Sequence, residues 1–280
     1  MASDASAPCG AMPMVPFGDR LISRLVLGAN PINGGSHLSG FVNQQMRRYF
    51  TVENVMALLK RCEQLGVNTW QSGGANLDWW RQYCESGGAM QYISLAAEAS
   101  EGQWPVEELA HAGAIGIAHH GEVTDTMFKE GRLHEARKFC KRIRDTGARV
   151  GVSTHMPAVI DQIESEGWDI DFYMACVYER HRTREELLAL LGHVPIPVRE
   201  VYLESDPPRM YEAIRNTPKT CLAFKILAAG RLSDSAEQVE AAFRLTFEGI
   251  KPGDAVIVGM YPEYSDQVAE NAALTIRYGG

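Results

Sequence analysis

The chain has 280 residues, 45% hydrophobic and 22% charged, and a net charge of −8, a size that suits one large α/β domain, since a parallel barrel takes about 250 residues. The negative balance, with no clustered Lys/Arg face, argues against a nucleic-acid backbone as the main partner, and without a run of about 18 apolar residues no membrane span is expected. Six cysteines without a Cys-x-x-Cys pair, and a start from Met1 to Gly10 lacking the basic and apolar regions of a secretory signal, point to a reduced, cytoplasmic protein.

Residues 1–12 are small, polar and Pro-containing and are expected to be disordered, leaving 13–280 as a single domain. The first predicted strand, Arg24–Gly28, runs into a long connection, Ala29 to Phe50, that holds His37 and Arg47-Arg48-Tyr49. A helix follows between an N-cap Thr51 and a C-cap Gly66. Strands are then predicted at Asn68–Gln71, Tyr92–Ala97 and Ala114–His119, and a long helix at Thr126–Thr146. Strand Arg149–Ser153, helix Met156–Glu166, strand Phe172–Val177 and helix Thr183–Leu191 come next. After an extra segment, Val198 to Glu204, come helix Pro207–Asn216, strand Cys221–Leu227, helix Ser235–Phe247, strand Ala255–Gly259 and helix Ser265–Ala273. Eight strands alternating with about eight helices predict a fully covered (β/α)8 TIM barrel.

In such a barrel the active site sits at the C-terminal ends of the strands. Three consecutive predicted strands end in chemically capable groups: Glu98, the pair His119-His120, and His155. Side chains alternate across a strand with period two, and placing the small residues inward groups Ser94, Ala96 and Glu98; Gly116, Ala118 and His120; and Gly151, Ser153 and His155. The same rule turns Cys221, Ala223 and Lys225 inward on the seventh strand. Glu98, His120 and His155 could hold Zn, Mn or Fe with positions left for substrate, or could act as acid and base without a metal. Lys225 could form a Schiff base, serve as a base, or pair with an inward carboxylate. His37, Gln71, Asn76, Trp79-Trp80, Tyr178-Glu179 and Tyr261 are candidate rim residues. Gly230-Arg231 and Gly259 stand after strands seven and eight, where barrels commonly bind phosphate.

The order of motifs resembles the aldo-keto reductase family. Val15 to Ala29 is similar to its N-terminal hairpin and first strand, and Glu63-Gln-Leu-Gly-Val-Asn68 to its run into strand two. Arg149-Val-Gly-Val-Ser-Thr154 resembles its strand five, and Val256-Ile-Val-Gly259 with Gln267-Val-Ala-Glu-Asn271 its strand eight and following helix. The resemblance implies the barrel with an N-terminal β-hairpin, and NADPH chemistry driven by an Asp, Tyr, Lys and His set. Of that set only the histidine is matched, by His119 or His120; Gln71 stands where the Asp is expected, and the Tyr and Lys have no counterparts near Gly73 to Asn76 and Ser94 to Ala97. Glu270 and Asn271 leave a nucleotide open, whereas Met260-Tyr-Pro-Glu263 lacks the base that contacts a 2′-phosphate.

Three readings follow. The first is a redox-neutral lyase or isomerase acting on a sugar-like, polyol or carbonyl small molecule, with a divalent metal on Glu98, His120 and His155 and with Lys225, His119, His37 and Tyr178 as acid–base candidates. The second is an NAD(P)-dependent oxidoreductase using His119 or His120, with Gly230, Arg231, Gly259, Glu270 and Asn271 at the cofactor. The third is a non-catalytic binding barrel. A homo-oligomer is compatible with all three.

Overall fold

The computed structural model describes residues 10–98 and 105–280. Eight parallel strands close into a barrel: β3 (Leu25–Gly28), β4 (Thr69–Gly73), β5 (Gln91–Ala96), β6 (Ala114–His119), β7 (Arg149–Thr154), β8 (Phe172–Cys176), β9 (Thr220–Phe224) and β10 (Ala255–Gly259), with β10 returning to pair with β3. Before them an antiparallel hairpin, β1 (Met14–Phe17) and β2 (Arg20–Ser23), lies across the N-terminal end. It is fastened there by the first residues of the strands: Asn68 and Gln91 donate to the Leu21 carbonyl, and Arg149 pairs with Asp19. The N-terminal disorder expected for 1–12 falls for residues 1–9 outside the described residues; Met12 packs on the core, and Pro13 accepts from Arg24.

The helices cover the barrel. They are α1 (Gly40–Tyr49), α2 (Val52–Gln64), α3 (Leu77–Glu85), α4 (Val106–His111), α5 (Gly121–Lys129), α6 (Leu133–Asp145), α7 (Pro157–Ser165), α8 (Arg184–Leu191), α9 (Asp206–Asn216), α10 (Ala236–Gly249) and α11 (Gln267–Tyr278). Thr51 caps α2 as its sequence predicts, its side chain accepting from Asn54 N, a contact worth about 1 kcal/mol. The single helix expected over Thr126–Thr146 is two, because Gly131 turns left-handed (φ +69°) between α5 and α6. The connection from Ala29 to Phe50 contains α1, and α3 and α4 were not anticipated; α4 is a short six-residue helix, below the length at which a 3.6-residue period is readable.

Inside the barrel, Val26, Ile93, Ala118, Phe172, Met174, Leu222, Ala255 and Ile257 form one cluster with Val15, Phe17 and Ile22 of the hairpin. The inward placement of small residues holds on β6 and β7 and fails on β5 and β9. There Ile93 and Leu222 point in, while Ala96, Cys221 and Ala223 pack toward the helices. The reason is volume. Phe172 fills the space left by Gly116 and Gly151, where an added Cβ would come within 3.1 and 2.3 Å of its ring. An interior packed to native density needs large residues on some strands to match small ones on others.

Candidate functional site at the barrel mouth

α5 starts immediately after β6, so the chain passes directly over the end of β7. Gly121 makes that passage: a Cβ there would lie 2.9 Å from Ser153 Oγ and 3.2 Å from the His155 ring. Beneath it His155 is buried and donates from Nδ1 to Asp125 Oδ2 at 2.8 Å. Asp125, with its side chain fully buried, also accepts from Thr154 Oγ1 at 2.5 Å and from His155 N at 3.0 Å. Burial pushes the Asp125 carboxyl up to about 6, against these donors, so it is an anion at neutral pH. Burial, then Lys225, His181 and Arg180, holds His155 well below the ordinary histidine value. The ring is therefore neutral, with Nδ1–H on Asp125 and the lone pair on Nε2.

Two further groups stand close to this ring, and His181 Nε2 is also 3.4 Å from Asp125 Oδ2. His155, His181 and Glu122 bring one ligand atom each to within 4.8 Å of one another. His181 Nε2 is 3.3 Å from Glu122 Oε2 and, among the described residues, is buried without a hydrogen bond of proper geometry. The 3.3 Å between His181 Nε2 and Glu122 Oε2 is about the separation of two ligands on one tetrahedral ion with bonds of about 2.0–2.1 Å. Burial lowers His181 and keeps it neutral; it also opposes ionisation of Glu122, but His181, His155, Arg180 and His120 outweigh it and lower that carboxyl. Two neutral imidazoles and a carboxylate form a donor set that a divalent cation fits, and a carboxylate behind the histidine is the support metal-binding histidines generally have.

Arg180, also buried, links this cluster to a second one. It donates to Glu122 Oε1 at 3.2 Å and to Glu200 Oε1 at 2.8 Å. Glu200 in turn holds His37 Nδ1 at 3.1 Å, leaving Nε2 to accept from Lys225 Nζ at 3.0 Å. Burial, then Lys225 and Arg180, lowers His37 to about 4, and burial lowers Lys225 to about 8. Strand β9 stops at Phe224 instead of Leu227 because Lys225 is left-handed (φ +59°). That turn carries Lys225 into the mouth although the even residues of β9 face inward. His37, Ala228 and Ala229 are left-handed too, and these are all such non-glycine residues described. Each costs about 1–2 kcal/mol, and all four lie at one junction: the His37 carbonyl accepts from Arg231 at 3.0 Å, and Lys225 O from Ala228 N at 2.8 Å.

Beside this network lies a cleft of about 220 Å³. Asn30, Asn33, Gln71, Gly73, Leu95 and His120 are among the residues around it. Asn30, which lines the cleft, has its Nδ2 3.3 Å from His37 Nε2, the atom that Lys225 also contacts. His120 is half-buried, lowered by burial, and its Nδ1 has no hydrogen-bond partner among the described residues.

The remaining sequence candidates are placed as follows. Glu98 is exposed beyond the end of β5 and outside both clusters. His119 faces the helices, its Nδ1 2.7 Å from Thr124 Oγ1 and its ring against Phe139. Tyr178 is buried against Tyr202, and Trp80 belongs to an aromatic core with Trp70, Tyr83 and Tyr92 rather than to the rim. Leu38 lies over Gly230 and Pro31 over Gly259; Arg231 stacks 4.2 Å above the Tyr202 ring. Glu270 is exposed, whereas Asn271 is buried in α11. Glu122, Asp125, Arg180, His181 and Glu200 were not anticipated; His181 lies five residues beyond the end of β8, in an irregular connection that strand parity does not reach.

No family profile matches the sequence, and no curated protein matches it. Solved structures do share the barrel. A truncated 3-deoxy-D-arabino-heptulosonate 7-phosphate synthase from Thermotoga maritima is 12% identical with a TM-score of 0.55, over 95% of this chain and 91% of that one. An aldo-keto reductase from Bacillus halodurans in its holo form is 14% identical with a TM-score of 0.53, also over 95% and 91%. The fold is thus a (β/α)8 barrel with an N-terminal hairpin, of a shape shared with aldo-keto reductases.

Proposed function

We propose that this chain is a barrel enzyme in which Glu122, His155 and His181 hold a divalent cation for redox-neutral chemistry, of lyase or isomerase type, on a small polyhydroxylated or carbonyl compound. The observation that carries the reading is the convergence of Glu122, His155 and His181, one ligand atom each within 4.8 Å of the others, with His181 Nε2 buried and without a hydrogen bond among the described residues and with Asp125 standing behind both rings. A bound Zn²⁺ or Mn²⁺ would supply a Lewis acid for a substrate oxygen. The chain's own part is to orient and to move protons: Asp125 fixes the His155 tautomer, Arg180 holds one Glu122 oxygen, and His120 presents a neutral ring at the cleft wall. The carboxamides of Asn30, Asn33 and Gln71 suit hydroxyl-rich ligands. Barrels of this shape serve both carbon–carbon bond and hydride chemistry, so the assignment rests on these side chains.

Elemental analysis of the purified protein tests it. One equivalent of Zn or Mn is expected, lost from His181→Ala and on chelation. A metal-free protein that takes up neither ion, or a His181→Ala variant that retains it, sinks the reading. Quenching of protein fluorescence by nicotinamide nucleotides would favour the oxidoreductase instead.

A further inference from the structure

We propose that Lys225 is a carbonyl-capturing amine, held by His37 and Glu200 to form a Schiff base with an aldehyde or ketone entering the mouth. The inference goes beyond the cation site and does not depend on it. The geometry carries it. Lys225 is half-buried at a strand end, and its Nζ donates to His37 Nε2 at 3.0 Å. It makes no salt bridge to a carboxylate among the described residues, so the ion pair that normally accompanies a lysine in such a place is missing. The nearby carboxylate, Glu200, is instead spent on His37, Arg180 and Tyr202. His37 is therefore fixed as the tautomer whose Nε2 accepts, and it aims the amine without neutralising it by charge.

Surroundings of this kind favour the free base. Burial, with Arg180 acting in the same direction, lowers Lys225 to about 8. The two residues in contact, His37 and Lys225, both hold left-handed backbones, the kind of strain that gathers at functional positions. The amine also stands close to the cleft. Asn30 touches His37 on one side and lines the cleft on the other, while the Phe224 ring is shared by Lys225 and His155. In the step itself, the amine adds to the carbonyl carbon to form a C–N bond. The carbonyl oxygen then leaves as water, taking up two protons, one from the amine and one from solvent, and a protonated C=N remains as an electron sink.

The test is reductive trapping. The full chain is treated with dihydroxyacetone and sodium borohydride, which converts the C=N to a stable secondary amine, and adducts are quantified lysine by lysine by peptide mass spectrometry. Lys225 is expected to label at least about tenfold faster than exposed Lys138 and Lys141. His37→Asn, whose residue tolerates a left-handed backbone, should slow labelling at Lys225 by about tenfold and leave Lys138 unchanged. Chelator-treated protein should trap equally, so the result stands even if the cation site fails. Labelling at Lys225 no faster than at Lys138, or a Lys225 rate indifferent to His37→Asn, overturns the proposal.

Discussion

The two ends of this barrel are built on opposite terms. At the N-terminal end Val15, Phe17 and Ile22 seal the interior with apolar side chains, and no non-glycine residue described there has a left-handed backbone. At the C-terminal end the strands deliver two linked clusters of ionisable groups, unbonded ring nitrogens and four left-handed residues. The strain and desolvation concentrated at the mouth are offset by packing elsewhere, and the hairpin is a large part of that packing. Conserving stability at one end and chemistry at the other is what lets a barrel carry an unfavourable arrangement of charges.

The largest expected effect comes from breaking the seal. Phe17 is buried with its ring 4.9 Å from that of Phe172, so Phe17→Ala should destabilise the fold by about 3–5 kcal/mol in denaturant unfolding without altering metal content. A change below about 1 kcal/mol would show that the hairpin is not part of the core. At the other end, Asp125→Asn should lower cation affinity by about 10–100-fold while the far-UV circular dichroism is unchanged; unaltered affinity would remove Asp125 from the site.

The helix-facing layer between the two ends gives a pH effect. Burial, then His120, lowers His119 to about 4 from 6.5. Between those values the unfolded chain binds the proton and the fold does not, so stability is intact above pH 6.5 and falls as pH drops toward 4. The slope from this residue approaches about 1.4 kcal/mol per pH unit. His119→Gln should flatten the acid limb relative to wild type in urea titrations run across that window, and an identical slope would count against a buried neutral His119. Smallest is the relief of strain. Ala229 (φ +53°) replaced by Gly should gain roughly 0.5 kcal/mol, the left-handed penalty less the added entropy of the unfolded chain. A loss on that substitution would mean the junction is held by the methyl group rather than against it.

All eight barrel strands are legible in the sequence because buried parallel strands read as short apolar runs, and β6 and β10 match to the residue. Facing is harder to read. Parity locates His155 and His120 correctly, yet Ile93 and Leu222 turn inward where smaller neighbours are expected, since interior volume is shared among strands that a single sequence pattern cannot compare. Lys225 reaches the mouth through a left-handed turn, which no alternation rule encodes. Glu122, Asp125 and His181 escape the reading because they sit in the first two turns of a helix and in an irregular connection, and become a set only when β7 places His155 beneath them.

The contact between His37 and Lys225 joins residues 188 positions apart, and β10 must have returned to β3 before both loops stand side by side. Until closure, Lys225 is an ordinary protonated lysine with no oriented neighbour. The proposed reactivity of Lys225 therefore depends on the closed ring: a chain whose β10 has not met β3 has no oriented amine to offer a carbonyl. Ring closure acts as the safety catch.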